Sequence, residues 1–135
     1  MAELLKLGLP TPATVGPEGG ERLGTFRADV DIVAGDACRL TATGCALSSG
    51  AAQNANAQIH GWAGHSAKAG EVVTLWNNIN FGYGAAADIA PAASFYLSAT
   101  VPGGVSTTAT TGGVNPAALG LPGGRLHVKQ VLKTS

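Results

Sequence analysis

Three histidines are the side chains with the widest chemical range in this sequence. His60 and His65 are five residues apart, and His127 lies far along the chain. Three imidazoles would be enough to bind a zinc ion, but residues five apart on a strand point to opposite faces. We therefore interpret the three histidines as unrelated surface or half-buried side chains, and we expect no metal site.

Two aspartates form the other candidate pair. Asp29 and Asp31 share one face of a predicted strand, as two carboxylates for acid–base chemistry or calcium binding would. Each also occupies a position where a solvent-facing polar residue is expected. No serine has the context of a catalytic nucleophile, and the glycine-rich stretches match neither a P-loop nor a dinucleotide fingerprint. The sequence therefore predicts no catalytic residue and no cofactor. The alternative is a small β-barrel enzyme that uses Asp29 and Asp31, or the histidines, with a metal ion.

Aromatic side chains suggest a second class of site. Trp62, Trp76 and Tyr83 lie on predicted strands, where exposed rings would stack against sugars. The same rings form a core when they point inward. A carbohydrate-binding or adhesion module is therefore an alternative function, and burial of all three rings would count against it.

The two cysteines, Cys38 and Cys45, are seven residues apart. A hairpin turn at Thr43–Gly44 would pair Cys45 with a residue near Ala42 and leave Cys38 farther down the other strand. The sulfur atoms would then be out of disulfide range. We interpret both as reduced, small apolar side chains of a protein made in the cytoplasm, because the N-terminus lacks the features of a signal peptide.

The elements that position these side chains are predicted to be short strands. From Phe26 to Ile32, apolar and polar residues alternate as in a half-buried strand. Turn sequences separate the strands, and they include Ala34-Gly35-Asp36, Pro102-Gly103-Gly104 and Pro122-Gly123-Gly124. Further strands are predicted at 37–42, 45–48, 59–63, 71–76, 81–84, 94–98, 117–121 and 125–132. This spacing predicts an all-β domain, a small β-sandwich or β-barrel of the jelly-roll or β-tulip-like kind.

Composition excludes several classes of protein. The 135 residues suffice for one domain, and 20 glycines with 7 prolines argue against a helix bundle. Eight Lys and Arg balance eight Asp and Glu, so there is no basic patch for nucleic acid or an anionic membrane. No apolar run approaches the ~20 residues that a membrane helix needs. We expect neither nucleic acid nor a membrane as a partner.

Residues 1–24 are interpreted as an extended N-terminal arm, and residues 25–135 as a single β domain. Four leucines lie close together in the arm: Leu4, Leu5, Leu7 and Leu9. The prolines and glycines that follow prevent a long helix. An extended arm of this length spans on the order of 75 Å. The four leucines are therefore candidate contacts with a partner, and the plainer alternative is a frayed terminus.

The stretch from Gly35 to Val131 carries an ordered series of short motifs. They are Ala34-Gly35-Asp36-Ala37-Cys38, Gly61-Trp62-Ala63, Ala69–Leu75, Phe81-Gly82-Tyr83-Gly84, Phe95–Ser98, Val101–Gly104, Thr110–Pro116 and Arg125–Val128. No motif is diagnostic alone, but the series resembles the head decoration, or cement, proteins of tailed bacteriophages. The arm lies outside the resemblance, so its leucines rest on composition.

The resemblance implies a structural virion protein without a catalytic site. It would be made in the host cytoplasm, bind the outer surface of the expanded capsid and stabilise it against the pressure of packaged DNA. Its partners would be the major capsid protein and neighbouring copies of itself, with a homotrimer favoured over a dimer. We expect the arm to add contacts or a strand to the capsid or an adjacent copy. A virion-surface carbohydrate-binding or adhesion module is the alternative.

Overall fold

The computed structural model describes Leu4, Lys6, Thr11–Pro12 and residues 21–132 of the chain. These residues form eleven strands and one 3-10 turn at Ala55–Ala57. The strands are β1 (Thr11–Pro12), β2 (Glu21–Arg27), β3 (Ala37–Leu40), β4 (Cys45–Leu47), β5 (Gly61–Ala63), β6 (Val72–Asn77), β7 (Ile79–Gly82), β8 (Ser94–Leu97), β9 (Val105–Ser106), β10 (Ala118–Leu121) and β11 (Arg125–Val128). Within the described residues, no helix has the length and apolar character to cross a membrane.

The strands form two antiparallel sheets. One has six strands in the order β1-β7-β11-β10-β8-β9, and the other has five in the order β2-β6-β5-β3-β4. The hairpin predicted around Pro122–Gly124 is present, with Ala118 opposite Val128 and Leu121 opposite Arg125. The all-β prediction of a small sandwich is confirmed.

Two apolar clusters cover the two faces of the five-stranded sheet. Trp62 belongs to the larger cluster, together with Phe81 and Leu126 of the six-stranded sheet. The next residue along β5, Ala63, belongs to a second cluster with Leu75 and with Ile32 of the loop before β3. Because successive strand residues point to opposite faces, the first cluster joins the two sheets and the second lies under the loop.

The alternating pattern at Phe26–Ile32 is not a strand over its whole length. The observed strand β2 runs from Glu21 to Arg27, so the predicted boundary between arm and domain at residues 24 and 25 falls inside it. The chain then leaves the edge of the sheet because Ala28 and Ile32 are buried in the second cluster. Alternation therefore marked Ala28 and Ile32 as buried correctly, but Val30 is 40% exposed, and the pattern did not show that a loop carries these residues.

Two loops of small residues pack against each other beside β8. The amide of Gly112 donates to the carbonyl oxygen of Gly50 (2.8 Å), and the amide of Gly50 donates to that of Ser98 (2.8 Å). A Cβ at Gly113 would lie 2.5 Å from Oγ1 of Thr110. The stretches 49–58 and 106–113 are therefore held by close backbone approach, for which glycine is required.

Candidate functional site

A groove of about 450 Å³ lies between two turns and the described N-terminal residues. Its lining is mostly apolar: Leu4, Val33, Leu47, Tyr83, Val101 and Pro102. The charged residues at the groove are Lys6, Asp31 and Asp36. An apolar groove with few polar groups is typical of a binding site.

Both walls of the groove are four-residue turns with glycine at the third position. In the first, the amide of Asp36 donates to the carbonyl oxygen of Val33 (3.0 Å), and Gly35 has a φ of +84°. In the second, the amide of Gly104 donates to the carbonyl oxygen of Val101 (2.9 Å), and Gly103 has a φ of +78°. These are the features of type II turns, which require glycine at that position, and both turns were predicted from the sequence.

The two turns are packed directly against each other. A Cβ on Gly103 would lie 3.0 Å from Cβ and Cγ of Asp36. The amide of Ala37 donates to the carbonyl oxygen of Gly103 (2.9 Å), and the amide of Gly103 donates to that of Ser48 (2.8 Å). The groove therefore has rigid walls, and each wall presents one exposed valine, Val33 at 44% and Val101 at 49%.

The N-terminal residues that the structure describes attach to this site. The amide of Leu4 donates to the carbonyl oxygen of Val105 in β9 (3.0 Å), and the Leu4 side chain is buried in the larger cluster. The ammonium group of Lys6 lies 2.5 Å from Oδ1 of Asp36 and donates to the carbonyl oxygen of Ala34 (3.1 Å). It is 5.8 Å from the ring centre of Tyr83, within the range of a cation–π contact. Lys6 therefore neutralises Asp36, and the exposed carboxylate of Asp31 is the remaining charge among the described lining residues.

The four predicted contact leucines have different outcomes. Leu4 is 8% exposed and packs against its own domain, so in this conformation its side chain is not available to a partner. Leu5, Leu7 and Leu9 lie outside the described residues. Leu4 and β1 reach opposite edges of the six-stranded sheet, because β9 is its last strand and β1 its first. The described part of the predicted arm is thus integrated into the domain.

The three histidines each hydrogen-bond within the fold. Nδ1 of His60 accepts from the amide of Leu40 (2.9 Å), and burial lowers the pKa of His60. Nε2 of His65 accepts from the amide of Thr74 (3.2 Å). Nδ1 of His127 lies 2.8 Å from Oδ1 of Asn80. Over the described residues, no group of three His, Cys, Asp or Glu side chains could hold a metal ion.

The two predicted aspartates accept hydrogen bonds from turns. Asp29 accepts from the hydroxyls of Thr41 (2.5 Å) and Thr43 (2.9 Å), and Nη1 of Arg27 lies 2.9 Å from its Oδ1. These hydrogen bonds lower the pKa of Asp29, those of the two threonines most. Oδ1 of Asp31 accepts from the amide of Ala69 (2.9 Å). Both carboxylates have a structural role that accounts for their positions.

The aromatic rings considered for sugar stacking are mostly in the core. Trp62 is fully buried, and its Nε1 donates to the carbonyl oxygen of Lys129 (2.9 Å). Tyr83 is 2% exposed. Trp76 is half-buried, and a Cβ on Gly64 would lie 2.5 Å from its Nε1. Two of the three rings therefore offer no face for a sugar.

Sequence reasoning missed Val33 and Val101, which form the exposed rim of the groove. The usable signal was their position, because each precedes a predicted glycine turn by one residue and such turns lie on the surface. Which turns contact each other depends on how strands that are distant in the sequence pair, and the residues of the two turns do not contain that information. Comparisons with models of protein families, with curated proteins and with solved structures found no match.

Proposed function

We propose that this protein is a decoration protein that binds the outer surface of an expanded phage capsid and stabilises it. The observation that supports the proposal most is the apolar groove with Val33 and Val101 exposed on two rigid walls. An apolar rim on a preformed groove favours a protein partner, because burial of apolar surface drives association and requires no charged contact. The partner is a segment of the major capsid protein with apolar side chains.

The small number of charges at the groove supports the same kind of partner. Lys6 and Asp36 form an ion pair, which leaves Asp31 as the remaining charge among the described lining residues, and the whole chain has zero formal net charge. Contacts of this kind depend weakly on salt, unlike binding to nucleic acid or an anionic surface. Binding to heads should therefore persist at high ionic strength.

Repeated copies on a lattice strengthen a weak contact. When linked copies engage several capsid subunits, the later contacts form within one assembly at a high effective concentration. A homotrimer at a three-fold position is the assembly we favour over a dimer, by analogy with the resemblance alone. Each copy then supplies one groove to the capsid surface.

The test is sedimentation of the purified protein with expanded heads and with unexpanded heads that both lack it. We expect saturable binding to expanded heads, with greater resistance of those heads to heating. Val33→Asp combined with Val101→Asp should weaken binding by at least about tenfold, because the new charges would be buried without partners. The matched control is Val72→Asp with Val114→Asp, which adds the same charge at exposed valines outside the groove.

The outcomes separate the proposal from its parts. Absence of binding to either form of the head would contradict a decoration role, and a glycan screen would then test the carbohydrate-binding alternative. Equal binding by the groove variant and the control would show that the capsid contact lies elsewhere on the protein. Urea unfolding of each variant shows whether it is folded, so that a loss of binding can be distinguished from a loss of the fold.

Leu5, Leu7 and Leu9 remain predicted contacts with the capsid. Replacing all three with serine should reduce binding to heads, and urea unfolding of the variant controls for any change in stability. Leu4→Ala should lower the free energy of unfolding by about 2–5 kcal/mol, because Leu4 packs in the core. Deleting residues 1–20 is a poorer test, because it also removes Leu4 and β1. Serine variants that bind as well as the wild type would contradict a role for these leucines.

A further inference from the structure

The six-stranded sheet turns one face to the core and the other face outward. Along β10 and β11, buried residues alternate with residues that are exposed or half-buried, among them Leu119 and His127. The register places four outward residues in one row, one from each of four strands: Asn80, His127, Leu119 and Ser94. Because residues directly opposite each other lie on the same face of a sheet, these four side chains form a continuous row across the outer face.

A pocket of about 450 Å³ lies on this row. Its lining combines apolar groups with groups that can donate hydrogen bonds: Pro116, Ala118, Leu119, Ser94, His127 and Lys129. None of these residues lines the apolar groove. Pockets that bind small molecules have volumes of about 300–1,000 Å³. The outer face therefore contains a second pocket, separate from the groove and large enough for a small ligand.

The imidazole of His127 is oriented by the neighbouring strand. Nδ1 of His127 lies 2.8 Å from Oδ1 of Asn80, the residue directly opposite it on β7. Because an amide oxygen can only accept, Nδ1 donates this hydrogen bond. The other ring nitrogen, Nε2, has no hydrogen bond to the described part of the chain. It is left for a ligand, to which the protonated ring donates.

Lys129 supplies a positive charge to the same pocket. Its side chain is exposed, and its ammonium group has no ion pair with the described residues. None of the described carboxylates lies on β7, β8, β10 or β11 or lines the pocket: Glu21, Asp29, Asp31, Asp36, Glu71 and Asp88. Within the described structure, the positive charge of the pocket is therefore not balanced, which favours an anionic ligand.

The apolar part of the lining favours a ligand with an apolar body. Leu119 is 42% exposed and stands between Ser94 and His127 in the row. Burial of this surface, together with that of Pro116, favours an apolar group over water. An inorganic anion has no such group. Nucleic acid is disfavoured because its binding rests on many cations, and the pocket offers only Lys129 and His127.

We propose that this pocket binds a small organic anion with an apolar body. The carboxylate or phosphate group of the ligand lies between the ammonium group of Lys129 and Nε2 of His127. The apolar body packs on Leu119, and the hydroxyl of Ser94 binds a polar substituent at the far end. This site is independent of the proposed capsid role.

The test is titration of the folded, full-length protein with benzoate and with phenyl phosphate at about pH 6, where an imidazole is readily protonated. Backbone amide shifts are followed by NMR. We expect saturable shifts at Ser94, Leu119 and His127, with a Kd of about 1 mM or lower for the preferred anion. Benzamide, which has the shape of benzoate without its charge, should bind at least about threefold more weakly. Inorganic phosphate should likewise bind more weakly than phenyl phosphate.

Two variants test the residues that hold the anionic group. Lys129→Gln and His127→Asn should each raise the Kd of the preferred anion by about three- to tenfold. Asparagine keeps a side-chain donor close to Asn80 and removes Nε2. Lys68→Gln is the matched control, because it removes the same charge from an exposed lysine outside the pocket and should leave the Kd unchanged.

Three results would overturn the proposal. The first is the absence of saturable shifts with either anion up to about 10 mM. The second is equal binding of benzoate and benzamide together with equal Kd values for the Lys129 and Lys68 variants. The third is a set of shifts confined to Val33 and Val101, which would place the ligand in the groove instead. None of these measurements involves heads, so they leave the proposed capsid role to its own test.

Discussion

Replacing Gly103 with alanine tests whether the two turns that wall the groove form one rigid unit. Gly103 has a φ of +78°, and an added Cβ would lie 3.0 Å from Cβ and Cγ of Asp36 and from Cδ2 of Leu47. Left-handed backbone costs an L-residue about 1–2 kcal/mol, and overpacking costs about 1–3 kcal/mol more. The reduced freedom of the unfolded chain offsets about 0.4–1 kcal/mol. We therefore expect Gly103→Ala to lower the free energy of unfolding by about 1–4.6 kcal/mol, with a central value of about 3 kcal/mol.

Gly123 provides the control for this measurement. It has a φ of +84°, and nothing lies within 4 Å of an added Cβ. Gly123→Ala therefore introduces the backbone strain without the crowding, and it should lower the free energy of unfolding by about 0–1.6 kcal/mol, with a central value of about 0.8 kcal/mol. Urea unfolding followed by tryptophan fluorescence gives both values. If the two variants lower the free energy of unfolding by amounts that agree within about 0.5 kcal/mol, Asp36 and Leu47 move aside at no energetic cost. The groove walls are then not rigid.

Two further predictions concern pH. Burial lowers the pKa of His60 from its usual 6.5, so the unfolded chain protonates this imidazole more readily than the folded chain does. The free energy of unfolding should therefore fall as the pH drops from 6.5 through the folded-state pKa. His60→Gln should remove that fall. Hydrogen bonds from Thr41 and Thr43 lower the pKa of Asp29 from 3.8. The ionised carboxylate therefore stabilises the folded state above pH 3.8, and this stabilisation is lost as the pH falls through the folded-state pKa. Asp29→Asn should remove that loss. Urea unfolding as a function of pH measures both effects, and a variant profile parallel to the wild type would contradict the corresponding prediction.

The turns could be predicted from the sequence because their chemistry is local. Val33–Asp36 and Val101–Gly104 place glycine at the position where a positive φ is needed, and no other part of the chain is required to recognise this. Pro122–Gly124 likewise marks the β10–β11 hairpin. The sequence therefore predicted both turns, but it did not predict that they contact each other and form the walls of a groove.

The register of the cysteine hairpin could not be predicted because it depends on a distant residue. Thr43–Gly44 reads as a two-residue turn, yet the hydroxyls of Thr41 and Thr43 are held by Asp29, twelve or more residues earlier. The pairing of Cys45 with Leu40 rather than Ala42 follows from that contact. A local rule fails here because a side chain from outside the hairpin selects the longer connection.

The groove lies where the two sheets meet, and this links binding there to the stability of the fold. The turn with Val101 follows β8 of the six-stranded sheet, and the turn with Val33 precedes β3 of the five-stranded sheet. A partner seated between them contacts both sheets, so it binds the folded chain and not the unfolded one. Free partner at 100 times its Kd would then stabilise the fold by about 2.7 kcal/mol. Copies on a capsid face their sites at roughly millimolar effective concentration, which satisfies that ratio even for a micromolar contact. If the proposed function holds, binding to the head stabilises the fold of the decoration protein as well as the head. Bound copies of the protein should therefore unfold at a higher temperature than free copies.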